Sequence, residues 1–115
     1  MTTATKGIIR QANLPVVTND VFSPIGGHAT ETTLSAVKTI SPGLYGITAT
    51  ADKVILQADG QNVRYTLSAS STPTATFGFL LRTTDAPRQI ILDGSVTLRV
   101  IEAAGGATLQ MQFGT

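Results

Sequence analysis

The feature that most constrains the fold is a series of short apolar runs separated by turn signals, which begins near Ile47 and continues to the last residues. The turns recur at the roughly 8–12-residue spacing that is typical of β-sandwiches and barrels. Thr is the most frequent residue, and its branched Cβ favours extended backbone. A chain of 115 residues has room for one domain. We therefore predict an all-β fold with a single β-sandwich or jelly-roll domain over residues 31–115.

The clearest predicted unit is a hairpin centred on Asp59-Gly60. This dipeptide favours the positive φ angles of a tight turn, and it separates the mainly apolar run 53–58 from the alternating run 61–67. Side chains in a strand alternate between the two faces of a sheet. The residues of the second strand that should face the core are Val63, Tyr65 and Leu67.

Four more strands are predicted further along the chain. Residues 77–82 follow a loop over 68–76, residues 88–92 and 95–102 flank an Asp93-Gly94 turn, and residues 107–113 follow Gly105-Gly106. The expected core positions are Phe77, Phe79, Leu81, Val96, Leu98, Val100, Leu109, Met111 and Phe113. The chain has no Trp to stack against a sugar ring, and we expect most of its six Tyr and Phe rings to be in the core.

The N-terminal part of the chain follows neither pattern as clearly. Residues 31–40 fit a weak helical stripe or a strand, and their Thr content favours the strand. Residues 1–30 show no period and contain Pro15, Pro24 and Gly26-Gly27, so we predict an extended N-terminal arm. Twenty extended residues span at most ~66–72 Å, which is enough to cross a neighbouring small domain.

The residues needed for chemistry are scarce. The chain has no Cys and a single histidine, His28, so a catalytic triad would depend on that one ring. Its seven carboxylates are scattered, and Asp59 and Asp93 precede Gly in predicted turns. We expect a non-catalytic protein with no metal, no cofactor and no small-molecule substrate.

The weak charge of the chain points towards assembly. Only 13% of residues are charged, eight basic residues are scattered against seven acidic ones, and the net charge is +1. Binding to nucleic acid needs a concentrated positive footprint, whereas a weakly charged surface allows copies to pack closely. No segment resembles a secretion signal or is long enough to span a bilayer, so we expect synthesis in a cytoplasm and no membrane partner.

The arm and the outer sheet face supply the predicted partner interface. Arg64 and Arg99 alternate with core residues and should project outward, where they would pair with carboxylates of a neighbouring chain or remain solvated. The arm residues assigned to the interface are the basic and apolar ones: Lys6, Ile8, Ile9, Arg10, Leu14, Val16 and Val17.

A longer pattern resembles a group of small structural proteins of tailed bacteriophages and prophages. It consists of a Gln-Ala-x-Gly-Gln-x-Val-Arg hairpin at residues 57–64, a Pro-Thr-Ala loop at 73–75, and Gly78 among apolar residues. The likeness extends loosely to residues 109–113 and does not include residues 1–40. The chain departs from the group at Thr66-Leu67-Ser68, where the group has a more charged turn.

This resemblance implies a component of the virion. The leading expectation is a capsid decoration or cement protein, located on the capsid exterior, which binds the major capsid protein and copies of itself. The alternatives are a tail, collar or fibre-associated virion protein and, from another class, a glycan-binding module. A glycan site would need an exposed groove with aromatic or planar polar groups.

Overall fold

The computed structural model describes residues 21–115, and these residues form an all-β domain of eight strands. The strands are β1 (Ala29–Glu31), β2 (Lys38–Thr39), β3 (Lys53–Asp59), β4 (Val63–Thr66), β5 (Phe79–Leu81), β6 (Arg88–Ile91), β7 (Arg99–Glu102) and β8 (Thr108–Gly114). The one helical segment in this part of the chain is the 3₁₀ turn Pro42–Tyr45. No helix within residues 21–115 has the length and apolar character to cross a membrane.

The strands form two antiparallel four-stranded sheets, with the orders β1-β8-β3-β6 and β2-β7-β4-β5. Consecutive strands lie in opposite sheets at every step except the one from β4 to β5. This interleaving of eight strands in two sheets is the jelly-roll arrangement. Of the two topologies predicted from the sequence, the structure therefore has the jelly roll.

The core lies between the two sheets and follows the predicted alternation. Leu109, Met111 and Phe113 on β8 are completely buried, while the residues between them are partly exposed. The second sheet contributes Val63, Tyr65, Leu81 and Val100 to the same apolar cluster. Most of the predicted core positions are confirmed, since a strand with one face on the core directs every second side chain inward.

The hairpin predicted at Asp59-Gly60 is wrong, although both of its strands exist. β3 pairs with β6 and β8, so both of its edges are occupied, and β4 lies in the other sheet. Gly60 has a φ of +78° and passes so close to the β7–β8 turn that a Cβ would lie 2.7 Å from the Gly106 carbonyl oxygen. The dipeptide thus forms a corner that carries the chain from one sheet to the other.

The predicted Asp93-Gly94 hairpin fails for the same reason. β6 is at the edge of the first sheet and β7 is inside the second, so the turn again connects the two sheets. The single strand favoured for residues 31–40 is also wrong, because β1 ends at Glu31 and β2 begins at Lys38 in the opposite sheet. The residues between β1 and β2 carry the chain from one sheet to the other.

The described part of the predicted arm lies against the C-terminal strand. The backbone of Ser23 exchanges two hydrogen bonds with Thr115, of 2.8 and 2.9 Å, and Ile25 N–H donates to the Phe113 carbonyl. β1 itself starts at Ala29. The β domain therefore includes residues before position 31, where the sequence placed its start.

Candidate functional site

The most unusual surface of the described residues is an apolar groove next to β5. Phe77 and Phe79 expose 56% and 59% of their surface, although both were predicted to be buried. They border a groove of about 580 Å³ whose remaining lining is Thr66–Ser68, Ser71 and Gly78. No charged side chain is among these lining residues. Two neighbouring exposed aromatic rings beside an uncharged groove make this surface the candidate interaction site of the described residues.

Phe79 is exposed because it lies at the edge of a sheet, and Phe77 precedes that strand, where its backbone forms an isolated bridge with Thr74. Among the strands of residues 21–115, β5 is the last of the second sheet and pairs only with β4. The register places Phe79 opposite Tyr65, so it points to the core side, but no further strand covers it. Its ring packs on the Tyr65 ring, with centroids 5.4 Å apart and planes tilted by 40°. One ring face is held in place and the other remains open.

The wall of the groove is a loop fastened to the outer face of the second sheet by the two arginines of the predicted interface. Arg99 donates to the carbonyls of Ala69 at 3.1 Å and Ser71 at 2.8 Å. Arg64 donates to the carbonyl of Gly78 at 3.0 Å. Both side chains point outward as expected, but these hydrogen bonds are made within the chain. Their observed role is to hold the β4–β5 loop in position.

The positively charged side chain of Arg88 lies beside the Tyr65–Phe79 pair, at the opening between β5 and β6. Arg88 donates a 2.8 Å hydrogen bond to the Tyr65 hydroxyl, and its guanidinium lies 5.8 Å from the centroid of that ring. The hydrogen bond with Tyr65 raises the pKa of Arg88, and the charge of Asp85, 3.8 Å away, acts in the same direction. The guanidinium therefore remains charged and orients Tyr65 beneath Phe79.

A buried carboxylate occupies the opposite side of the sandwich. Glu31 is only 8% exposed, and it accepts hydrogen bonds from the Tyr45 hydroxyl at 2.8 Å and the Thr33 backbone N–H at 2.9 Å. Lys38 lies 3.8 Å away. Burial raises the pKa of Glu31, but these two hydrogen bonds and the Lys38 charge outweigh it, so the pKa lies below its usual value.

The same contacts act on the tyrosine in the opposite sense. Burial, the hydrogen bond to Glu31 and the negative charge of Glu31 all raise the pKa of the Tyr45 phenol well above its usual value. The phenol thus stays protonated while the carboxylate stays ionised. The hydrogen bond satisfies both buried polar groups, and it links β1 to the 3₁₀ turn.

His28 lies on the surface and makes a local contact. Its Nε2 is 2.7 Å from Oε1 of Gln110, which also accepts a 3.0 Å hydrogen bond from Thr30. Within residues 21–115 there is no group of three or more His, Cys, Asp or Glu side chains placed to hold a metal ion.

The predicted arm residues of the interface cannot be placed on this surface. Lys6, Ile8, Ile9, Arg10, Leu14, Val16 and Val17 all lie outside the described residues. The exposure of Phe77 and Phe79 was not predicted, because both residues fit a regular inward-facing run. The signal that could have revealed them is Gly78 between the two rings, since Gly inside a strand pattern often marks a break in pairing.

Comparisons of the chain with protein-family models, with curated proteins and with solved structures found no significant match.

Proposed function

We propose that this chain is a non-catalytic bacteriophage structural protein that decorates the capsid exterior and stabilises the lattice of the major capsid protein. The observation that carries the proposal is the open apolar groove beside Phe77 and Phe79. The resemblance of residues 57–64 and 73–78 to small virion proteins supplies the biological setting. Synthesis would take place in the host cytoplasm, followed by binding to the particle.

The composition of the groove suits a protein partner. Aromatic side chains are enriched in the buried centres of protein interfaces, where charged residues are depleted. Phe77 and Phe79 together with Leu67 provide such a centre, and Ser68 and Ser71 provide a polar border. Fully burying an exposed phenylalanine contributes about 1.5–3 kcal/mol, so covering the exposed part of either ring would contribute roughly half of that before the costs of association. A single groove therefore supports modest affinity.

A symmetric lattice converts modest affinity into durable attachment. If each copy contacts its neighbours as well as the shell, simultaneous release of all contacts becomes improbable, since each rebinding event occurs at high effective concentration. The low charge of the chain keeps repulsion between adjacent copies small. The jelly roll agrees with this role because viral capsid domains use it, although lectins and cupins use it as well.

The test is the copy number of the chain in purified particles, measured by quantitative gel densitometry against the major capsid protein. A decoration protein should be present in hundreds of copies, because it follows the capsid lattice. A count of roughly a dozen would instead support the tail, collar or fibre role, since those structures are small rings or trimers. Absence of the chain from washed particles would overturn the virion proposal as a whole.

A glycan-binding module is the second candidate, and the same groove favours it. An exposed aromatic ring face can pack against the apolar face of a sugar, and Phe77 and Phe79 present two such rings. The described lining of the groove, however, includes no planar polar side chain to fix sugar hydroxyls. Screening of the purified chain against an array of host surface glycans would decide: binding that disappears in a Phe79→Ala variant supports this candidate, and no binding removes it.

A further inference from the structure

The groove beside Phe77 and Phe79 lies at an edge that can accept another strand. β5 ends the second sheet, so the backbone groups on its outer edge have no partner strand among the described residues. An extended segment added to such an edge gains main-chain hydrogen bonds, and pockets beside the edge then select its side chains. Here the adjacent pocket is apolar, so it selects an apolar segment.

The chain itself contains a segment with the required chemistry. Residues 6–17 carry five aliphatic side chains, Ile8, Ile9, Leu14, Val16 and Val17. Their only charges are Lys6 and Arg10, and the first carboxylate of the chain is Asp20. β-branched residues favour extended backbone, which is the conformation that strand addition needs. This segment lies wholly within the 20 residues that precede the described part.

The direction in which the described chain begins favours a neighbouring copy over the same one. The ring of Phe22 crosses the outer face of the first sheet, where a Cβ on Gly114 would lie 2.6 Å from it. The Val21 carbonyl accepts a hydrogen bond from Lys53 Nζ on that same face. The groove belongs to the second sheet, on the other side of the sandwich.

We propose that residues 6–17 of one copy dock in the groove of a neighbouring copy, next to β5, and so link the copies into a chain or ring. This contact is heterologous, because the segment of each copy meets the groove of the next. It deepens the proposed function, on which it rests, by naming what occupies the groove between adjacent decoration subunits. It explains why Phe77 and Phe79 are open in a single copy.

The experiment uses the full chain with a photo-crosslinker at the rim of the groove. A Ser68→benzoylphenylalanine variant keeps both phenylalanines, and a matched Leu44→benzoylphenylalanine variant places the probe on an exposed residue of the 3₁₀ turn. Equal amounts of ¹⁴N-labelled and ¹⁵N-labelled copies are mixed, irradiated and analysed by mass spectrometry. Peptides joined across the two labels report contacts between copies.

The expected result is a set of mixed-label crosslinks from position 68 to residues 6–17, with none to these residues from position 44. An Ile8→Asp, Val16→Asp double variant should reduce their yield at least tenfold. A control with the same added charges at polar positions, Thr2→Asp with Thr3→Asp, should not. Crosslinks joined only within one label, links to other residues alone, or no mixed-label links at any concentration would each overturn the proposal.

The outcome is separable from that of the proposed function. The crosslinking requires only the purified chain, whereas the decoration role is judged by copy number on particles. Lattice-level copy number without mixed-label crosslinks would reject the segment exchange and leave decoration standing. Mixed-label crosslinks in a chain that is absent from particles would support the segment exchange and reject the decoration role.

Discussion

The hydroxyl of Tyr45 donates a 2.8 Å hydrogen bond to Oε1 of Glu31, and this contact joins the 3₁₀ turn to β1. Replacing Tyr45 with Phe removes the donor and leaves a mostly buried carboxylate oxygen without it. Hydrogen bonds to charged groups contribute about 1.5–3 kcal/mol, so we expect Tyr45→Phe to lower the free energy of unfolding by that amount in urea titrations. The neighbouring Leu44→Ala should change it by less than about 0.5 kcal/mol, because Leu44 is 48% exposed.

The ionisation of Glu31 should make the stability of the fold depend on pH in the acidic range. The pKa of Glu31 in the folded chain lies below its ordinary value. The stabilisation is therefore complete above the unfolded-state pKa of about 4.3 and is lost as pH falls through the lower folded-state pKa. Between about pH 5 and pH 3 the melting temperature should fall more steeply in the unaltered chain than in Glu31→Gln. Parallel melting curves for the two chains would show that Glu31 does not contribute.

The core at Leu98 offers a test of the side-chain facing derived from the alternation. Leu98 is 1% exposed, and truncation to Ala leaves a cavity between the sheets. We expect Leu98→Ala to cost roughly 2–5 kcal/mol of folding free energy. Ile91→Ala, at an apolar residue that is 57% exposed, should cost far less. Equal losses for the two variants in chemical denaturation would contradict the assigned positions.

The corner at Gly60 should tolerate no side chain. Its φ of +78° disfavours other L-residues by about 1–2 kcal/mol, and a Cβ would also meet the Gly106 carbonyl oxygen at 2.7 Å. We expect Gly60→Ala to reduce stability by at least that amount. Gly94→Ala is the matched control, because no atom lies within 4 Å of its added Cβ. A melting temperature of Gly60→Ala equal to that of Gly94→Ala would refute the close approach.

Removal of the N-terminal segment should abolish assembly and leave folding intact. A chain lacking residues 1–20 keeps all eight strands and the contacts of Ser23 and Ile25 with the end of β8. We expect it to remain a folded β domain by circular dichroism and to lose binding to particles in co-sedimentation. Normal particle binding by the shortened chain would mean that the segment is not part of the attachment.

The strands and the core could be predicted from the sequence because period-two alternation depends only on which side of a strand each residue lies. Leu109, Met111 and Phe113 show this clearly, as do Val54 and Leu56 on β3. Strand pairing could not be predicted in the same way. Asp-Gly supports a positive φ in a hairpin and in a sheet-crossing corner alike, and only the other strands decide which one forms.

The groove could not be predicted from the sequence, for a related reason. Phe79 has the inward position that the alternation assigns to it, but burial also requires a strand on the next edge. That edge is vacant among the described residues. Arg64 and Arg99 were placed on the correct face, yet their carbonyl partners come from a loop whose path has no periodic signature.

The position of β8 has a consequence for how the chain is made. β8 is the last strand in sequence, and it lies between β1 and β3, so the first sheet cannot form until this strand has left the ribosome. Its pairings with β1 join residues about 80 positions apart, which is a slow kind of contact to establish. The first sheet can therefore be completed only after β8 has been synthesised, whereas every strand of the second sheet precedes β8 in the chain.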